Sequence, residues 1–192
     1  MNRELATNPA ALQSAVNDEL ASTAGAWAGG ATSVEGFLRR VVVGLDRMPS
    51  LSVYHAEFRH YSSGYASYID VFITKRDGSM RRSVDGWTYV EGLSLALCRL
   101  APLASLFEPS IRSSGPDGTG SYGLPELSRV ADANLPGWEE ECRQIGQLLD
   151  QHGIVLLGSQ VLSLPLEAGL QVKTIIGNPP YSVFDAWFHW MD

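Results

Sequence analysis

Between Leu51 and Arg82 the chain is written in a period of two, and no other feature restricts its fold as much. Val53, His55, Glu57, Arg59 and Tyr61 fall on one face of an extended strand, and Tyr54, Ala56, Phe58 and His60 on the other. Further on, Tyr68, Asp70, Phe72 and Thr74 alternate with Ile69, Val71 and Ile73. β-Branched and aromatic residues suit a pleated surface. Asp77-Gly78 follows as a hairpin signal, because Asp-Gly accepts the positive φ angles of a tight turn. Two or three antiparallel strands are predicted here, turning at Asp77-Gly78.

Helical patterns flank this region. Asn8-Pro9 is a cap followed by a residue suited to the first helical position, and Leu12, Val16 and Leu20 mark one face of a helix to about Ser22. The Ala/Gly/Thr-rich stretch from Ala24 to Ala31 ends it. Thr32-Ser33-Val34-Glu35 reads as a capping box. The stripe Val34, Phe37, Leu38, Val41, Val42 and Leu45 then predicts a second helix to about Arg47, stopped by Pro49. From Trp87 to Phe107 two periods compete: Leu93, Leu95 and Leu97 fit a strand, while Leu93, Leu97, Leu100 and Leu103 fit a helix. Length and Leu/Ala content favour a helix to about Ala101. Ser113 to Gly123 reads as a loop. Pro136 opens a helix with Trp138, Cys142, Ile145 and Leu149 on one face and Gly153 as its stop. Ile154–Leu157, Val161–Leu166, Val172–Ile176 and Ser182–Trp190 read as short strands. The expected fold is α+β: an antiparallel sheet with two N-terminal helices and one later helix packed on it, residues 1–192 forming a single globular domain.

The charge is unevenly spread. Ten bases and ten acids precede residue 101, whereas four bases and eleven acids follow it, so the net charge of −7 arises in the second half. Such a surface repels phosphate backbones and favours a basic partner; no nucleic-acid partner is expected. No apolar run approaches the ~20 residues that cross a bilayer, so no membrane partner is expected either. Met1-Asn2-Arg3-Glu4-Leu5 lacks the apolar stretch of a secretory signal, and a cytoplasmic location is expected. Cys98 and Cys142 lie in apolar periodic segments and are read as buried thiols.

Several groups of residues invite a chemical reading. Lys75, Arg76, Arg81 and Arg82 form a basic cluster around Asp77-Gly78, read as charges that blunt a hairpin edge. Gly115-Pro116-Asp117-Gly118-Thr119-Gly120 lacks the Gly-Lys-[Ser/Thr] ending of a phosphate loop and is read as a surface loop. His55 and His60 fall on opposite strand faces, His152 ends a helix, and His189 sits among aromatic residues; none has ligands at metal spacing. Phe184, Trp187, Phe188 and Trp190 are read as core and cross-strand packing. Glu139, Glu140 and Glu141 occupy the first turn of the later helix, where acids offset the dipole at about 0.3–1 kcal/mol each. Together with Asp132 and Asp150 they are the candidate anionic patch for a basic protein surface. No catalytic residue, cofactor or metal site is assigned.

Two resemblances bear on function. Asn178-Pro179-Pro180-Tyr181, behind the apolar run Val172 to Ile176, resembles the acceptor loop of adenine-N6 DNA methyltransferases, which implies hydrogen bonds to a flipped adenine and a stacking Tyr. Such enzymes also need a Gly-rich turn for adenosylmethionine. Here Ile154-Val155-Leu156-Leu157-Gly158-Ser159 is the nearest approach, and eleven residues follow Tyr181. A tight Asn-Pro-Pro bend between two strands is the preferred reading. The second resemblance runs from Ile145 to the end: Ile145, Leu148 and Leu149, then Gly153, Leu156-Leu157, Leu162, Pro165-Leu166, and the close Val183-Phe184-Asp185-Ala186-x-Phe188-x-Trp190-x-Asp192. This cadence is similar to that of the small immunity proteins that bacteria encode beside polymorphic or contact-dependent toxins. It implies a non-enzymatic protein that binds and neutralises a cognate toxin domain, basic nucleases being one class of such domains.

Overall fold

The computed structural model describes residues 2–62, 64–121, 123–132 and 135–191. Helices α1 (Asn2–Ala6), α2 (Pro9–Val16) and α3 (Gly30–Asp46) lead into strands β1 (Leu51–Glu57), β2 (Tyr65–Ala66), β3 (Tyr68–Lys75), β4 (Arg81–Val84), β5 (Trp87–Cys98), β6 (Leu103–Leu106), β7 (Ser110–Ser114) and β8 (Gly120–Ser121). Helix α4 (Glu139–Gln151), strand β9 (Val155–Leu156), helices α5 (Ser159–Leu162) and α6 (Val183–Trp187) and strand β10 (Trp190–Met191) follow. The fold is α+β, built on an eight-stranded sheet whose pairs are antiparallel except β6 with β9.

Strand β5 organises the sheet. Its C-terminal half pairs with β3, from Ile73↔Leu93 to Tyr68↔Cys98, and on its other side with β6. Its N-terminal half pairs with β4 and β7. Gly92 stands where the halves meet. A Cβ there would lie 2.4 Å from the Ile73 carbonyl oxygen and 2.9 Å from the Phe72 ring. Gly92→Ala should therefore cost about 1–3 kcal/mol as an overpacked contact, read as a lower urea midpoint; an unchanged midpoint would mean the strands are not so closely apposed.

The helix expected over 87–101 is instead β5. From Leu93 to Cys98 the segment lies between two layers and is buried on both faces, so composition cannot separate the periods. Leu93, Leu95 and Leu97 join Ile69, Val71 and Ile73 beneath Val34, Leu38, Val41 and Leu45 of α3 and Ile145, Leu148 and Leu149 of α4. Ala96, Cys98 and Tyr68 face the opposite core, with Leu12 and Val16 of α2 and Phe184, Trp187 and Phe188 at the C-terminal end. Both cysteines are free; burial pushes the Cys98 thiol up to about 12.

Other expectations shift for local reasons. The hairpin turns at Asp85-Gly86, not Asp77-Gly78: Val84 pairs with Trp87, and the two loop residues have φ of 50° and 79°, a mirror-image turn matched to strand twist. Asp77 Oδ1 instead accepts the Ser79 N–H (2.9 Å) and hydroxyl (2.6 Å), bending the chain between β3 and β4 along one edge of β5. A bulge between Val53 and His55 separates those two side chains onto opposite faces, and β1 ends before His60. Asn8 caps α2 as expected, accepting the Ala11 N–H at 3.1 Å, but the helix stops at Val16 and Asp18 turns with φ of 62°. Helix α3 begins at Gly30, so the Thr32–Glu35 box does not form; Glu35 binds arginines instead. Part of the loop over 113–123 pairs as β7 with β8.

In the C-terminal region, Val161–Leu166 starts in the end of the helix α5, Val172–Ile176 is irregular, and Ser182–Trp190 holds α6. The capping box of α6 outweighs its strand-like composition: Asp185 Oδ2 accepts the Ser182 N–H at 2.7 Å and hydroxyl at 2.8 Å. Among the described residues no helix is long and apolar enough to cross a membrane.

Candidate functional site

The five acids of the expected patch are not gathered into one free surface. Glu141 is turned inward, its side chain 8% exposed and its Oε2 3.9 Å from Lys75 Nζ. Glu140 accepts two hydrogen bonds from Arg143, at 2.6 and 2.8 Å, and one from Gln144 at 2.6 Å. These hold its carboxyl down to about 2. Glu139 accepts the Gly137 N–H at 3.0 Å. Asp132 accepts the Ser159 N–H at 2.8 Å and its hydroxyl, fixing the start of α5. Asp150 is exposed near the other end of α4, about 16 Å from Glu139 at 1.5 Å per residue.

The remaining sequence candidates serve mostly as ties. Lys75 donates to the Gly137 carbonyl at 2.6 Å and lies 5.3 Å from the Trp138 ring centroid. Arg76 pairs with Asp46 at 3.5 Å and donates to its backbone carbonyl. His152 Nδ1 lies 2.9 Å from the Leu148 carbonyl oxygen. Trp187 and Phe188 are fully buried, as their composition predicts. Asn178-Pro179-Pro180-Tyr181 lies in irregular chain rather than behind a strand, with a cis bond between the prolines and Asn178 exposed. The backbone setting of a methyltransferase acceptor loop is therefore not reproduced. Among the described residues no cluster of His, Cys, Asp and Glu is arranged to hold a metal ion.

Two features escape the sequence reading because the fold assembles them. The first is the outer half of the sheet. Directly paired residues share a face, which places Val84 with Trp87, Arg82 with Tyr89, and Ile111 with Glu91 on one surface. This surface continues the face that α3 and α4 cover at Leu93, Leu95 and Leu97, but here it emerges: Val84 and Ile111 are each 52% exposed. The Arg82 guanidinium stacks 5.2 Å from the Tyr89 ring centroid. At its tip the Asp85-Gly86 and Pro116-Asp117-Gly118 turns meet, a Cβ at Gly86 falling 3.8 Å from Pro116. Asp85 and Asp117 thus stand at that tip, while Arg82 and Glu91 lie on the face itself and Arg81, paired with Val90, belongs to the other face.

The second is a cleft of about 560 Å³ at the other end of β5. Asp18, Leu20, Val34, Glu35, Arg39 and His60 are among its lining residues, with Tyr65, Arg99 and Leu100. Glu35 Oε1 accepts from Arg39 Nε at 3.1 Å and Nη2 at 2.7 Å, and Glu35 Oε2 lies 3.7 Å from Arg99 Nη1. Arg99 also donates to the Phe58 and Tyr68 carbonyls, at 3.0 and 3.3 Å. His60 Nδ1 accepts the Ala66 N–H at 2.9 Å, which leaves the ring proton on Nε2; burial, then Arg99, lowers its pKa and keeps the ring neutral. Asp18 and His60 both hold positive φ, a conformation that costs about 1–3 kcal/mol and concentrates at functional positions. Compared with protein-family models, curated proteins and solved structures, the chain matches none.

Proposed function

We propose that the chain acts by contact with another protein, as an immunity protein that binds and neutralises a cognate toxin domain, and that the outer half-sheet is its docking face. The observation that carries this reading is the emergent surface of Val84, Trp87, Tyr89, Ile111 and Arg82. Exposed aliphatic residues around half-buried aromatics and a stacked Arg have the composition of an interface hot spot, where a few central side chains supply most of the affinity. Antiparallel strands hold that surface rigid, so little ordering entropy opposes binding.

Charge selects the partner. The chain carries −7 overall, and Asp85 and Asp117 stand at the tip of the face, so a basic domain gains association rate from the long-range field. Glu139, bonded to the Gly137 N–H, and Glu140, paired with Arg143, contribute to that field; Glu141, being buried, sits outside the contact. Charge therefore sets the speed of encounter and the apolar face its lifetime.

Co-expression in bacteria with the polypeptide encoded immediately upstream tests this. The reading expects that polypeptide to arrest growth alone and this chain to relieve the arrest. Val84→Asp combined with Ile111→Asp should abolish relief and raise Kd at least about 30-fold, since hot-spot truncations cost about 2 kcal/mol or more. Glu139→Lys with Glu140→Lys should slow association at low salt and leave dissociation unchanged. A neighbour that does not arrest growth, or relief undiminished by the double Asp variant, contradicts the proposal.

A further inference from the structure

The cleft at the far end of β5 has a charge pattern that the partner-binding reading does not use. Arg39 and Arg99 share a single carboxylate, Glu35. Two guanidinium groups against one acid leave an excess of one positive charge on this wall, and guanidinium does not lose its proton in a protein. Arg99 is 11% exposed, so solvent screens its charge poorly. Asp18 does not neutralise the excess, because it is engaged elsewhere: its Oδ1 lies 2.6 Å from His189 Nε2, and His189 Nδ1 faces the Ala186 carbonyl at 3.1 Å.

Beside the excess charge stands a neutral donor, His60 Nε2–H, its tautomer fixed by the Ala66 N–H on the other nitrogen. Leu20, Val34 and Leu100, with the methyl group of Ala31, form an apolar wall, and Thr32, Gly36 and Tyr65 complete the lining. The volume falls within the range of small-molecule sites, about 300–1,000 Å³. One excess positive charge and a hydrogen-bond donor beside an apolar wall suit a ligand with one negative charge and a hydrocarbon body.

We infer that this cleft binds a small amphipathic carboxylate, its carboxyl group received by Arg99 and the His60 Nε2–H and its apolar body lying along Leu20, Val34 and Leu100. The site is separate from the outer half-sheet, and its test involves no protein partner.

Calorimetric titration of the full chain with octanoate, octanol, acetate and octyl phosphate tests it. Octanoate should bind saturably. Acetate, without the six methylenes worth about 0.8 kcal/mol each, should bind at least about 100-fold more weakly, and octanol, without the charge, at least about 10-fold more weakly. Arg39 is half exposed, so Arg39→Gln removes the excess charge without disturbing the core; it should weaken octanoate about 5- to 10-fold and leave octanol unchanged. Gly36 lines the cleft within α3, and a Cβ there meets only Arg40 Nη1, at 3.8 Å. Gly36→Leu should therefore fill the cleft and abolish octanoate binding while holding or raising Tm, because Gly is the weaker helix former. Octanol binding as tightly as octanoate, octanoate affinity unmoved by Gly36→Leu, tighter binding of octyl phosphate, or no heat with octanoate at millimolar concentration would each overturn the assignment.

Discussion

Arg112→Met should destabilise the protein by about 3–5 kcal/mol at neutral pH, because it strands a buried carboxylate. Arg112 and Asp70 are 6% and 1% exposed, and Arg112 Nη2 lies 2.5 Å from Asp70 Oδ2 and 3.2 Å from Ser94 Oγ. The guanidinium rests 4.2 Å from the Phe72 ring centroid, so the methionine side chain would keep much of the packing and lose the charge. Asp70 Oδ1 and Arg112 Nε are buried with no hydrogen-bond partner among the described residues, so desolvation is only partly offset even in the intact pair.

The deficit should depend on pH in a defined direction. Burial raises the Asp70 pKa above the ordinary carboxylate value, and Arg112 opposes that shift. A carboxyl whose folded pKa lies above its unfolded value stabilises the fold most below the unfolded pKa, and that contribution is lost as pH rises through the folded one. Removing Arg112 widens the gap, so the deficit should be greatest near pH 7–8 and shrink toward pH 5. Urea midpoints for both proteins across that range give the comparison. Replacing both partners, Asp70→Leu with Arg112→Met, should return stability to within about 1 kcal/mol of the parent, since apolar isosteres often substitute for a buried pair. A deficit under about 1 kcal/mol in the single variant, or one independent of pH, would refute this account of the pair.

The second large effect concerns the C-terminal region. Trp187 is fully buried, and its Nε1 donates to the Ala6 carbonyl at 3.0 Å, tying α6 to α1 across most of the sequence. Its own carbonyl accepts from Ser67 Oγ at 2.9 Å. Trp187→Ala should cost about 3–5 kcal/mol as a cavity, which for a chain of this size lowers Tm by roughly 6–20 °C. Trp187→Phe keeps most of the volume but orphans the Ala6 carbonyl, and should cost about 1–3 kcal/mol. Equal losses from the two variants would mean that volume is irrelevant at this position, contrary to the packing described.

These two predictions rest on contacts that differ in how far the sequence foreshadows them. Helices α3 and α4 are legible because each buries one stripe against one layer, and β3 because Ile69, Val71 and Ile73 alternate with Tyr68, Asp70 and Phe72. Strand β5 is not, because burial on both faces erases alternation. Helix α6 is rich in aromatic residues that suit strands, and its signal was the Ser182–Asp185 cap rather than the residues between. A second Asp-Gly, at 85–86, competed with the first, and only pairing partners decide between them. Glu141 stands three residues after Trp138 and four before Ile145, hence on the apolar face, a position readable from helix geometry. The cleft and the Asp70–Arg112 pair were beyond reach. Residues 18, 35, 60, 99 and 189 meet only through tertiary folding, and no local pattern marks them.

The most direct test of the account is amide hydrogen exchange of this chain with and without the domain encoded beside it. The proposed docking face predicts added protection confined to residues 81–91 and 110–114, with the amides of α4 and of the cleft unchanged. Protection centred on 139–150, or none in the outer half-sheet at saturating partner, would contradict it.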